Sequence, residues 1–388
     1  MTELTVIPRM KIKALSPWFG SKRTLAQAII EELGVHRAYF EPFCGSMAVL
    51  LAKAPAAMET VNDLHGDLVN LARVVQHPKL GQRLYRRCRR LLMVETLFKE
   101  AARRWKVRGI PPADTPDIER AIDFFYTSWV GRNGVVGTKS YDQGFAARYT
   151  PGGGHGGTRW RQAVSSIPAW RRRLASVTIL NRCGFKLLDA ISDEDGVVVY
   201  VDPPYVVKGA RYVFDDNIKP ACVSEDEWIA ALEFANQHTF DIPIERVAWH
   251  YVLAQRVKRF QKARVVVSYY EHPLVRLLYP QFVVRKCPVV KALVQGNGHV
   301  KGAVEAPEIL LLNGPSYANG TDFGLFQWGP PKPFSAPGGL WRVSCPSPPP
   351  PHPLLFATPG ASGGPWLGIP DAFQQGYFGC GFDSRSCL

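Results

Sequence analysis

The chain has 388 residues, enough for two domains, and its 46% hydrophobic and 21% charged content is that of a globular protein with a sizeable core. Lys and Arg outnumber Asp and Glu by 47 to 33, a formal charge of +14 that favours a polyanionic partner. No apolar run approaches the ~20 residues of a membrane span, and the opening MTELTVIPRMKIK lacks a signal peptide's apolar stretch, so the cytoplasm is expected rather than a membrane or secretion.

Near the N-terminus, Pro17-Trp18-Phe19-Gly20-Ser21-Lys22 places a lysine after a glycine turn, beside an indole. Standing alone, such a segment reads first as a loop over a core Trp. AYFEPF (Ala38 to Phe43) is a predicted strand, followed by the turn Glu41-Pro42-Phe43-Cys44-Gly45-Ser46 and the helix-like MAVLLAKA. METVND (Met58 to Asp63) is a second predicted strand, with a helix from Leu64. Gly45 at a strand-to-helix junction lets backbone approach a ligand. Asp63, at the end of the next strand, stands where an acid in a Rossmann-like fold bonds a ribose hydroxyl. One glycine where the dinucleotide fingerprint wants three disfavours NAD.

The excess charge is concentrated. Lys79 to Arg173 holds 20 Lys/Arg and 7 Asp/Glu, a net +13, close to the whole excess. Part of it (Arg83 to Arg108) has helical periodicity and reads as a solvated face. The bias continues through Arg132, Lys139, Arg148, Arg159, Arg161 and Arg171 to Arg173, across different local patterns, as a phosphate-contacting surface would. His155, in PGGGHGG, reads as a solvated histidine.

Beyond it come the apolar runs VVVYVD (Val197 to Asp202), RVVVSYY (Arg264 to Tyr270) and EILLLN (Glu308 to Asn313). Continuous β-branched runs suit strands buried on both faces, so the expected fold class is α/β, Rossmann-like, with a parallel sheet. Asp202-Pro203-Pro204-Tyr205 closes the first of these runs. Two prolines cannot continue a ladder, so the chain leaves stiffly at the strand's carboxyl end, where open α/β sheets bind ligands. The bland alternative is a rigid turn with an incidental carboxylate. The functional reading has Asp202 and the Pro203 carbonyl accept hydrogen bonds from an exocyclic amine, with Tyr205 offering a ring on which an extruded base stacks. His250, His272 and His299 have no metal or triad spacing, and Ser268 lacks a nucleophile elbow. The eight cysteines show no zinc-ligand spacing, so reduced thiols and no metal are expected. From Gly314 to Leu388, 13 Gly and 14 Pro mark an irregular tail, and a chain cut near Gly314 is expected to fold.

Taken together, PWFGSK, FEPFCGS, VND and DPPY, in this order and with a long basic insert before the last, resemble the Dam-like DNA adenine methyltransferases, phage-type members above all. The likeness runs from about Lys13 to Asn313 and includes YTSWVGRNGVVGT, GFAARYTPGGG, WRRRLASVTILN and APEILLLNG. It implies methyl transfer from S-adenosylmethionine to the adenine N6 in double-stranded DNA, by a monomer without a metal. It also implies a methyltransferase core at 10–75 and 176–313, a mainly helical target-recognition insert at 76–175, and a tail at 314–388. By position, Trp18, Lys22, Phe43, Gly45 and Asp63 correspond to cofactor contacts. Asp202 corresponds to the catalytic acid beside the cofactor, with Pro203, Pro204 and Tyr205 completing the catalytic motif.

Three departures stand out. Met47 replaces a second small residue in the glycine turn, and Cys183-Gly184 stand where members often carry an acid that helps hold the cofactor's adenine. The stretch from about Asp215 to Trp249 is longer than the usual loop, so it either lies over the cleft or is a neutral insertion. A catalytically inactive DNA-binding homologue, or an amino-group methyltransferase acting on cytosine or RNA, remains the alternative.

Overall fold

A computed structural model describes residues 10–109, 115–131, 136, 144–147, 155–206, 219–287, 289–291, 304–306 and 308–318, all within one unit, Met1–Phe323. His299 and most of the glycine- and proline-rich tail lie outside the described residues.

Strands β1 (Ala38–Glu41), β2 (Met58–Asn62), β3 (Thr178–Leu180), β4 (Val197–Val201), β5 (Arg264–Tyr270) and β6 (Val283–Lys286) share a seven-stranded sheet with β9 (Glu308–Leu312). Its order is β3-β2-β1-β4-β5-β9-β6. Neighbours from β3 to β5 pair in parallel, and β9 runs antiparallel to both β5 and β6. A separate pair joins β7 (Val289–Lys291) to β8 (Val304–Ala306). The five apolar runs read from sequence are five of these strands. The edge strands β3 and β6 escaped that reading because they are short and only partly buried, which leaves them little apolar signal.

Every residue of β4 is buried, and the strand's two-residue period sends its side chains to two cores. Val197, Val199 and Val201 enter one, with α8 (Gly184–Ala190), α9 (Glu225–Asn236), α10 (Ile244–Lys258) and α11 (Pro273–Leu278). Val198 and Tyr200 enter the other, with α1 (Ala26–Leu33), α2 (Ala48–Ala52) and α3 (Gly66–Gln76). The part of the 215–249 stretch that is described is largely helical: α9 packs on α10, and Arg256 ties them to α8 through Glu227 and Asp189.

Between β2 and β3 the basic segment forms α4 (Pro78–Cys88), α5 (Glu95–Val107), α6 (Ile118–Val130) and α7 (Gly156–Leu174). Their apolar side chains, among them Leu84, Phe98, Phe124 and Trp170, join the same core as Val198 and Tyr200. The segment is helical as expected, yet among the described residues it shares the sheet's core and shows no core of its own. The N-terminal stretch is held against it: Trp129 and Trp170 donate their indole N–H to the carbonyls of Leu15 and Ile12, at 3.0 and 2.7 Å. The folded unit also continues past Asn313. Ser316 Oγ and the Tyr317 N–H both donate to Glu32, a fully buried carboxylate that also pairs with Arg264 and Arg285.

Candidate active site

The sheet order sets the carboxyl ends of β1 and β4 side by side while their continuations depart in opposite directions, β1 to β2 and β4 to β5. Such a switch point leaves a crevice for a ligand. A cavity of about 290 Å³ opens there.

One wall is the turn after β1. Gly45 has φ of +45°, and a Cβ on it would lie 3.1 Å from the Trp18 indole, so glycine is what allows Trp18 to close over the turn. Two residues on, Met47 is left-handed too, at φ +58°, with its side chain fully buried in the core. The departure at this position therefore trades about 1 kcal/mol of backbone strain for apolar burial. The Gly45 and His65 N–H groups each donate at 2.8 Å to opposite oxygens of Asp63. Burial raises the Asp63 carboxyl above its ordinary range, against the pull of those two bonds. Asn62 was noted in sequence only as part of VND, with no role of its own. Its Nδ2 donates to the Pro42 and Arg182 carbonyls, both at 2.9 Å, and its Oδ1 accepts from the Arg182 N–H, tying the ends of β1, β2 and β3 together.

The opposite wall is the turn after β4. Asp202 pairs with Lys22 at 2.9 Å, the two side chains 19% and 6% exposed. Burial pushes the Asp202 carboxyl up to about 6, with the Lys22 ammonium opposing it. Burial alone would lower Lys22, but Asp202 and Glu308 more than offset it and leave the ammonium raised. Lys22 Nζ also donates to the Gly20 carbonyl at 2.8 Å. Between the two walls Glu41 is buried, accepts from the Tyr39 hydroxyl at 2.9 Å, and is raised by burial to about 8.

The cavity's apolar side is made by Phe43, Phe185 and Trp249, with ring centroids 4.9 to 6.5 Å apart. At the Cys183-Gly184 departure, a Cβ on Gly184 would meet the Phe43 ring at 2.6 Å, so the missing side chain makes room for that ring. Cys183 is joined to Cys222, with Cα atoms 6.9 Å apart, where composition suggested free thiols.

Trp18, Lys22, Phe43, Gly45, Asp63, Asp202 and Pro204 thus line one cavity. Pro203 and Tyr205 are buried and are not among the residues lining it. The Tyr205 ring is not open for stacking here. Its centroid lies 4.6 Å from that of Tyr270 and 4.8 Å from Lys22 Nζ, and its hydroxyl donates to Glu308 at 2.6 Å. Glu308 was not singled out from sequence, and Glu41 was named only as the first residue of the turn after β1. His155 caps α7 by accepting from the Gly157 N–H, and His272 caps α11. His250 is fully buried against the Tyr269 hydroxyl, and Ser268 against that of Tyr200.

The basic segment divides its cations between interior and surface. Inside the fold Arg120 binds Asp67 and Arg173 reaches Glu59 at 2.8 Å, while the buried Asp123 is met by Arg108 and by the exposed Arg104. Arg86, Arg89, Arg90, Arg161 and Arg172 are exposed. Arg89 and Arg161 border a second cavity of about 430 Å³, whose lining includes Tyr85 and Trp160. The lip of the first cavity touches this segment, where the Phe19 N–H donates to the Val136 carbonyl at 3.1 Å.

A family model of the D12 class N6 adenine-specific DNA methyltransferases matches residues 18–218, half of the chain. The chain belongs to that family. The likeness to Dam-like enzymes is thereby borne out, and the match begins at Trp18 and takes in the Gly45 turn, Asp63, the basic segment and Asp202 to Tyr205. Membership makes this an adenine methyltransferase family fold, with DNA as its class of substrate. No curated protein matches the chain. Among the described residues no helix is long and apolar enough to cross a membrane.

Proposed function

We propose that this chain transfers a methyl group from S-adenosylmethionine to N6 of an adenine within a particular sequence of double-stranded DNA. The observation that carries this reading is the pairing of Asp202 with Lys22 in the same cavity as Gly45 and Asp63, at the sheet's switch point. The cavity suits the cofactor chemically. Phe43, Phe185 and Trp249 offer apolar surface to an adenine ring, Asp63 offers acceptors to a ribose, and Asp202 offers a negative group to a cation. S-adenosylmethionine supplies a methyl on a positively charged sulfur, an electrophile that needs placement more than activation.

The chain's own residues supply that placement. Asp202, ionised above about pH 6, accepts one N6–H of the target adenine, and the Pro203 carbonyl accepts the other. Two acceptors on one planar amine draw its lone pair out of the ring and towards the methyl. Lys22 keeps the Asp202 carboxylate charged and oriented. The exposed arginines of α4 and α7 and the turns beside them supply phosphate contacts, while base readout falls to the recognition segment. Asp202→Ala is expected to lower single-turnover methyl transfer by at least about a hundredfold while DNA affinity stays within about threefold of the parent. Unchanged turnover in that variant would refute the role given to Asp202.

A further inference from the structure

Glu308 lies on β9, beyond the matched residues, and the residue is 7% exposed. Its Oε2 accepts from the Tyr205 hydroxyl at 2.6 Å. The same hydroxyl pulls the Asp202 carboxyl downward, although a phenol has one proton and donates it to one acceptor at a time. Lys22 completes the arrangement, 2.9 Å from Asp202 Oδ1 and 4.8 Å from the Tyr205 ring centroid. Four side chains from three parts of the chain therefore meet in one cluster, in which the phenol donates to Glu308 and the Lys22 ammonium lies between its ring and Asp202.

We propose that Glu308 is a positioning residue for methyl transfer: by accepting the hydrogen bond of the Tyr205 hydroxyl it fixes that ring and keeps the Asp202 carboxylate free to accept the target amine. This rests on the reading of Asp202 given above. Without Glu308 the phenol turns to Asp202 and occupies the acceptor that the adenine N6–H requires. The effect on rate is thus relayed by the Tyr205 hydroxyl, and removing that hydroxyl cancels part of it. Glu308 also acts against the ionisation of Asp202. Asp202 is faced by Lys22, by Glu41 from β1, by Tyr200 from β4, by Tyr205 and by Glu308. Of these, Glu308 opposes its ionisation while Lys22 and Tyr205 favour it.

The test compares the full-length parent with Glu308→Ala, Glu308→Gln, Tyr205→Phe and the double variant Glu308→Ala/Tyr205→Phe. Single-turnover transfer is measured alongside the carboxyl titration of Asp202, followed by carbon NMR in the protein without DNA. Glu308→Ala is expected to lose about tenfold to a hundredfold in rate and to titrate Asp202 at lower pH than the parent. The double variant is expected to be faster than Glu308→Ala and to bring the titration part of the way back. Glu308→Gln keeps the volume and an acceptor, so it guards against a folding defect, and its Asp202 is expected to titrate lower than the parent's. A double variant no faster than Glu308→Ala, or an Asp202 titration that Glu308→Ala and Glu308→Gln leave unmoved, would overturn the proposal. If the titrations shift as described but the parent methylates no adenine, the assignment of the target base fails and the Glu308–Tyr205–Asp202 coupling stands.

Discussion

Glu41 carries a consequence for stability that its position alone would not suggest. Its carboxyl is raised by burial to about 8, so the folded chain holds a proton there that the unfolded chain releases near the ordinary carboxylate range. The folded state therefore binds more protons between those two values. Stability from this group is complete below the unfolded pKa and is lost as pH rises, by up to about 1.4 kcal/mol per pH unit, until about pH 8. Glu41→Gln removes the titration. Denaturant unfolding of parent and variant from pH 5 to 8 is expected to show the parent losing stability relative to Glu41→Gln across that window. Parallel curves would show that Glu41 is ionised in the folded chain. Sequence exposed the residues of this wall unequally. Gly45, Asp63 and Asp202 stood out because turn glycines and strand-end acids have few other uses. Glu41 and Glu308 sit within predicted strands, and nothing local separates a buried strand glutamate from one facing solvent.

At the level of elements, strands were legible where they are central. β4 and β5 read as continuous β-branched runs because both faces are covered, whereas β3 and β6 lie at the sheet's two edges. The basic segment's helices were legible only in part. The periodicity of Arg83 to Arg108 is broken into α4 and α5, and α6 is buried from Arg120 to Val130, which makes it an interior helix. Composition gave no sign that Ser316 and Tyr317 pack, since they sit in a sequence already rich in Gly and Pro. Both bond to Glu32, and the Tyr317 ring lies 4.3 Å from the Arg264 guanidinium. A chain ending at Ala318 keeps both bonds to Glu32 and is expected to keep the Tm of the full chain. A chain ending at Gly314 loses two hydrogen bonds to a buried carboxylate, and a cost of about 3 kcal/mol is expected. Equal Tm values for the two truncations would contradict the role given to Ser316 and Tyr317.

The whole molecule explains why charge counting succeeded in direction and overstated in amount. The net +13 of the basic segment includes Arg120 and Arg173, whose partners Asp67 and Glu59 lie outside the segment in sequence and inside the fold. Sequence shows a sum of charges, and only packing tells an interior pair from a surface cation. What remains exposed on α4, α7 and the turns beside them still forms a basic surface on the segment that meets the lip of the cavity at Val136. The wall of the cavity after β1, through Cys44 and Met47, shares one core with the helices that carry this basic surface. The most direct measurement is incubation of the full chain with unmethylated genomic DNA and methyl-labelled S-adenosylmethionine, followed by nucleoside analysis. The expected result is label in N6-methyladenine. Label in a methylated cytosine, or none in DNA under conditions where the cofactor binds, would contradict the proposed reaction.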